Sequence, residues 1–133
     1  MNNKLLIENY MEELWNKKNI NVIDNLFMDD TLIHSPLKIS HGKNEMQLIA
    51  QRWLSAFPDL VCQWEDWIIE KDKIVSRWSA LGTHLGNFLN HLPTGKIIKY
   101  TGVSIYKLKN MKILEYWGLV DMHGIINQIQ GKN

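Results

Sequence analysis

Pro58 separates two stretches of different periodicity, and that switch restricts the fold more than any other feature of the chain. Before it, apolar residues recur at helical spacing. Ile7, Tyr10 or Met11 and Leu14 predict an amphipathic helix from Lys4 to Lys17. Val22 to Phe27 predict a short second helix, and Met46, Ile49, Ala50, Trp53, Leu54 and Phe57 a third with one broad apolar face. Pro58 stops the third helix, because its ring removes a backbone donor and clashes with the preceding turn. From Leu60 onward the pattern is extended. Turn signals at Lys71-Asp72, Pro93-Thr94-Gly95 and Asn110 separate four long strands near 61–70, 73–84, 96–108 and 111–121. Between the second and third helices, Asp29-Asp30 leads into a short strand, Thr31 to His34, halted by Ser35-Pro36, and residues 37–42 read as loop.

Helices first and an antiparallel meander after them imply an α+β fold: a cone-shaped, strongly curved antiparallel sheet covered by the N-terminal helices. At 133 residues, the chain is expected to be one domain over 1–133. The cone interior is the natural small-molecule pocket. Gly82, Gly102 and Gly118 each fall inside a strand, where bulges or sharp curvature are expected.

The final strand carries the anomaly. Alternation places Ile113, Glu115, Trp117, Leu119 and Asp121 on one face and Leu114, Tyr116, Gly118 and Val120 on the other. Both faces are largely apolar, so the carboxylates of Glu115 and Asp121 require a partner or a function. Asp121 is either the cap of a short helix starting near Met122 or a general acid/base at a pocket mouth, its pKa raised by Trp117. The capping box is incomplete, because Gly124 stands where Glu or Gln would close it.

Composition excludes more than it selects. A net charge of +1 gives no reason to expect nucleic acid or an anionic membrane as partner. No apolar run approaches the roughly 20 residues of a membrane span. The N-terminus lacks a signal-peptide core, and the single Cys62 excludes an internal disulfide, so the expected location is cytoplasmic. Phosphate-loop, dinucleotide and serine-hydrolase motifs are missing. The five histidines show no ligand spacing, so no metal or other cofactor is expected. Cys62 reads as a structural thiol. Six tryptophans exceed what a core of this size needs, and some should line a cavity.

Candidate site residues lie on different strands: His34, Arg77, Trp78, His84, Glu115, Trp117 and Asp121, with Trp53 from the third helix. Arg77 and Glu115 would also make a sensible buried ion pair. His84 is equally a turn residue bonded to backbone, and His34 a satisfied residue at a strand end. For Trp53, Trp78 and Trp117 the alternative to a pocket wall is core packing.

Several segments together resemble a known family. They are Leu32-Ile33-His34 after an acidic pair, Ala56-Phe57-Pro58-Asp59-Leu60, Arg77-Trp78, Gly82-Thr83-His84 with Gly86 and Phe88, Pro93-Thr94-Gly95, and Ile113, Glu115 and Trp117 followed by Asp121 and Gly124. Their order resembles the nuclear-transport-factor-two-like (cystatin-like) superfamily, and within it the SnoaL-like polyketide cyclase or ester cyclase family. That resemblance implies a cofactor-free acid/base enzyme closing a ring by intramolecular aldol chemistry, with Asp121 as acid/base and His34 and His84 facing the same pocket. It also implies a hydrophobic carbonyl-containing ligand and a homodimer packed through the outer sheet face. The same cone hosts plain binding proteins and hydrolases or dehydratases that use an activated water, so a non-catalytic binder and an Asp-activated water are the alternatives.

Overall fold

The computed structural model describes residues 2–132. Helix α1 (Asn3–Met11) begins at Asn2, whose side chain accepts the Leu5 N–H, and it continues as a π-helical turn over Glu12–Asn16. A single turn at Ile20–Val22 precedes α2 (Ile23–Leu26), which leads directly into β1 (Phe27–His34). β2 (Ile39–His41) is a short strand where loop is expected from sequence; it pairs with β1 and supplies an edge too short to be read from periodicity. Helix α3 (Lys43–Ala56) ends two residues before Pro58. The long strands β3 (Val61–Glu70), β4 (Lys73–Thr83), β5 (Ile97–Lys109) and β6 (Lys112–Val120) follow, and α4 (Met122–Ile129) closes the described chain.

The six strands form one curved, unclosed sheet in the order β2-β1-β6-β5-β4-β3, with the helices packed against it. The meander is antiparallel as expected, but β1 runs parallel to β6. A strand from the helical half of the chain thus pairs with the last strand, and the sheet is mixed.

One face of the sheet is the core. On β4, Ile74, Ser76, Trp78 and Ala80 are buried, and on β5 Ile98, Tyr100, Ser104, Tyr106 and Leu108. Opposite them the helices contribute Ile7, Tyr10, Met11, Leu14, Met46, Ile49, Ala50 and Phe57. Two bulges set which residues point inward. Glu65 is the extra residue in β3, so Trp64 and Trp67 share the inner side. Leu114 is the extra residue in β6, so Ile113 joins Tyr116 in the core rather than Glu115 and Trp117 as simple alternation requires.

None of these irregularities falls at Gly82, Gly102 or Gly118. All three serve close approach instead, and a Cβ on Gly82 would lie 2.8 Å from the Phe57 Cβ. A Cβ on Gly102 would lie 2.3 Å from the Trp78 ring and 2.5 Å from the Leu119 carbonyl oxygen, and one on Gly118 would lie 2.6 Å from the Tyr116 hydroxyl. Trp78 pairs with Gly102 across the β4–β5 ladder, so its indole lies flat where the missing side chain leaves room.

Because the Leu119 contact is to backbone, Gly102→Ala cannot be absorbed by a rotamer change. It is expected to destabilise by about 2 kcal/mol in urea unfolding. A variant as stable as the wild type would refute this account of Trp78 packing.

Candidate functional site

The cone interior is nearly full. Trp53, Phe57, Trp78, Phe88 and Tyr100 form one connected set of aromatic contacts with centroids 5.2–6.3 Å apart. Tyr10, Phe27, Tyr106 and Tyr116 form another at 5.1–6.1 Å. What remains is an inner chamber of about 40 Å³, bounded among others by Trp15, Trp53, Cys62, Trp64, Trp78, Tyr100, Ser104, Tyr116 and Val120. That is little more than the volume of one water molecule.

The larger space is a groove of about 420 Å³ outside it, within the range of small-molecule sites. One wall is a stripe of α3: Leu48, Ile49, Gln51, Arg52, Trp53 and Ser55. The other walls are Ser35-Pro36-Leu37 after β1, the loop Asn87 to Asn90, and Met122 at the start of α4. Ser35, Pro36, Ile49 and Trp53 line both spaces, so groove and chamber meet at these residues. Leu37, Leu48 and Leu89 are 58%, 46% and 42% exposed around the groove. These three leucines make the rim of the groove apolar.

Leu89 reaches the groove at a conformational cost. Phe88 and His91 exchange backbone hydrogen bonds of 3.0 and 2.8 Å around a two-residue turn in which Leu89 has φ 47° and Asn90 φ 67°. Asn suits that left-handed region, whereas leucine costs about 1–2 kcal/mol there. The Asn87 side chain accepts the Asn90 N–H at 3.0 Å and braces the turn.

Polar groups at the chamber are neutral. The Trp78 indole N–H donates to the Ser104 hydroxyl at 3.0 Å. Burial pushes the Cys62 thiol up to about 12. Burial also pushes the Tyr116 hydroxyl up to about 12, partly offset by the Ser104 hydroxyl, and raises Tyr100 well above the ordinary phenol value. Both phenols are therefore hydrogen-bond donors at neutral pH, and the thiol is inert. No carboxylate, imidazole or amine lines the chamber.

The structure separates the residues that sequence brings together. Trp53 and Trp78 line the chamber. Trp117 does not, because Tyr116, Gly118 and Val120 take the inner face of β6, leaving Glu115 and Trp117 on the outer one. His34 lies with them: its ring stacks on Trp117 at 5.0 Å and 3°, and Nε2 donates to Glu115 Oε2 at 2.7 Å. Arg77 is exposed on the outer face of β4 and pairs with Asp66 of the neighbouring strand at 3.5 Å, so there is no buried Arg77–Glu115 pair. The strand register puts β5 between them.

His84 is fully buried and holds a loop together. Its Nδ1 accepts the Thr94 N–H at 3.3 Å and lies 3.0 Å from the Thr94 hydroxyl, while its backbone bonds Lys96 and Gly95. An accepting Nδ1 places the ring proton on Nε2, which has no partner among the described residues. Asp121 caps α4 despite the incomplete capping box: Oδ1 accepts the Gly124 N–H at 2.9 Å. Its position is nonetheless distinctive, since Val120 before it lines the chamber and Met122 after it lines the groove.

Sequence reading missed Arg52, the Leu89-Asn90 turn and Asp59. The spacing Leu48, Arg52, Ser55 on one helical stripe was available for the first, but nothing in the chain marks 87–90 as its opposing wall. Asp59 accepts the Thr83 N–H at 2.7 Å and the Thr83 hydroxyl at 2.6 Å, tying the end of α3 to the end of β4. Among the described residues no cluster of three potential metal ligands occurs, and no helix is long and apolar enough to cross a membrane.

The profile of the SnoaL-like polyketide cyclase family matches residues 5–129. The chain belongs to that family. No functionally curated protein matches the sequence. Among solved structures, AclR of Streptomyces galilaeus, a proposed hydroxylase, superposes with a TM-score of 0.85 at 23% identity, covering 96% of this chain and 80% of its own. TsrD of Streptomyces laurentii superposes with a TM-score of 0.83 at 20% identity over 97% of this chain and 98% of its own. A SnoaL-like polyketide cyclase of Agrobacterium tumefaciens gives 0.76 at 17%, covering 93% and 94%. At these identities the likeness to the solved structures is one of fold. In this SnoaL-like chain the Asp59–Thr83 clasp ties the segment after α3, the groove wall, to the sheet.

The Thr83 hydroxyl and N–H hold the Asp59 carboxyl below the usual carboxylate range. A depressed folded-state pKa adds stability above the unfolded value and loses it as pH falls through the folded one. Wild type should therefore exceed Asp59→Ala in stability at neutral pH, with the gap closing as pH drops below about 4. A gap independent of pH in urea titrations would assign the loss to packing alone.

Proposed function

We propose that this SnoaL-like protein binds a hydrophobic, carbonyl-bearing small molecule in the groove and catalyses a cofactor-free, cyclase-type proton transfer on it. The supporting observation is the continuity of the leucine-rimmed groove with a chamber whose polar groups are neutral donors. A chamber of about 40 Å³ admits no more than the tip of a ligand, so the ring system lies in the groove and a carbonyl oxygen enters the chamber. There the Tyr116 and Ser104 hydroxyls take the role of holding the oxygen on which charge develops. His34, bonded to Glu115 on the outer face, and His84, bonded to Thr94, have no part in this reading.

Asp121 is assigned as the acid/base: it lines neither space itself, but it is exposed between Val120 of the chamber wall and Met122 of the groove wall, and its Oδ2 makes no protein hydrogen bond among the described residues. Its carboxylate would take a proton from the carbon beside the carbonyl. The resulting enolate carbon would attack a second carbonyl of the same molecule, forming a carbon–carbon bond, and the alkoxide would recover the proton from the carboxylic acid. Such a step requires an already acidic carbon, because one placed base contributes roughly a hundredfold to ten-thousandfold.

A second reading, a binder without chemistry, is favoured by the lack of any ionisable base in the chamber and by the cap that engages Asp121. Asp121→Asn separates the two, because Asn caps as well as Asp and spares the fold. With a tetralone β-keto ester as probe, the wild type should accelerate deuterium uptake at the acidic carbon over buffer, and Asp121→Asn should lower that acceleration about a hundredfold. Binding with no acceleration by the wild type would leave the binder reading in place.

The outer sheet face carries Val61, Ile68, Leu81, Ile97 and Leu119, each between 44% and 70% exposed. We assign this face to a homodimer. Sedimentation velocity is expected to give twice the chain mass, and Leu119→Asp to shift it to monomer; a monomeric wild type would end the assignment.

A further inference from the structure

We infer that the groove selects ligands bearing a carboxylate, held at the rim by Arg52. This rests on the small-molecule reading of the groove and narrows its ligand class. Among the described residues Arg52 is the only charged one lining the groove, and no acidic side chain lines it. The chain has two arginines, and they are in contrasting states. Arg77 pairs with Asp66, whereas Arg52 makes neither an ion pair nor a hydrogen bond among the described residues. An unpaired, exposed guanidinium beside an apolar rim presents its donors in a planar fork that matches a carboxylate.

The neighbouring polar groups suit the same ligand. Gln51, Asn87 and Asn90 line the groove with amide donors and carry no charge that would compete for Arg52. The ligand this surface fits has an aromatic or alicyclic body lying against Leu37, Leu89 and Trp53 and an anionic carboxylate at the α3 edge. For the proposed reaction this orients the molecule: the carboxylate stays at the rim in solvent contact and the reacting carbonyl points toward Trp53 and the chamber.

Naphthoic acid and its methyl ester are probes of almost the same shape that differ in charge at neutral pH. Their affinities can be read from quenching of tryptophan fluorescence and confirmed by calorimetry. In low salt the acid is expected to bind the wild type about threefold to fivefold more tightly than the ester, the size of an exposed ion pair, with the ratio shrinking as salt is raised. Arg52→Gln should bring the ratio to about one, and Arg52→Lys should keep part of it. Arg52 lies four residues before the end of α3, so support of the helix itself is the alternative role. A purely structural role of that kind would lower the stability of Arg52→Gln while acid and ester bind the wild type equally. Equal binding, or a ratio that survives Arg52→Gln, overturns the carboxylate inference alone. Failure of both probes to bind the wild type overturns the small-molecule reading beneath it.

Discussion

The arrangement of Trp78 over Gly102, with its indole N–H on the Ser104 hydroxyl, is the contact on which the rest of the structure depends. A curved sheet leaves a hollow on its concave side, and a buried void forfeits both transfer energy and dispersion contacts. Here the hollow is filled by aromatic side chains. Trp78 can occupy the middle of it because glycine stands opposite on β5, and its one polar atom is satisfied there. Filling the cone has a functional consequence: the space for a ligand moves outward, between α3, the end of β1 and the 87–90 turn.

That displacement explains which features were readable from sequence. Helical spacing up to Phe57 and extended spacing after Leu60 gave the elements, and the turn signals at Lys71-Asp72 and Asn110 lie where the chain reverses. Alternation on β6 also grouped Glu115 with Trp117 correctly. What it does not give is which group faces the core, because both faces of that strand are apolar and Leu114 shifts the parity of Ile113. The pocket tryptophan on the last strand, the buried Arg77–Glu115 pair and His34 as a pocket residue all depended on that choice. Face assignment is a property of the whole sheet: only the register across β1, β6 and β5 shows that His34 and Trp117 stand side by side on the convex surface.

The groove was less readable than the fold for a different reason. Its walls come from four segments far apart in sequence, and the 87–90 wall is built on a leucine in a left-handed conformation, contrary to its local preference. His84 is the converse case. Its surroundings in sequence allow either a site or a turn, and burial with Thr94 on one ring nitrogen makes it the residue that holds the 84–96 excursion in place.

Family membership supplies a fold and a class of ligand, and the chemistry has to come from the groups present. In this chain burial keeps every titratable group at the chamber neutral, which makes the chamber suited to receive developing negative charge and unsuited to remove a proton. For the proposed reaction a proton donor or acceptor would therefore have to stand outside the chamber. Asp121 is the one carboxylate flanked on both sides by lining residues, and its cap to Gly124 holds one oxygen while leaving the other unengaged. On the proposed reading, with Asp121 as acid/base and the Tyr116 and Ser104 hydroxyls holding the oxygen, the reacting carbon would lie between them. Trp53 and Ile49 line both groove and chamber. On that reading, shape at these two side chains, more than at the chamber floor, would decide which carbon of a ligand is brought to reaction.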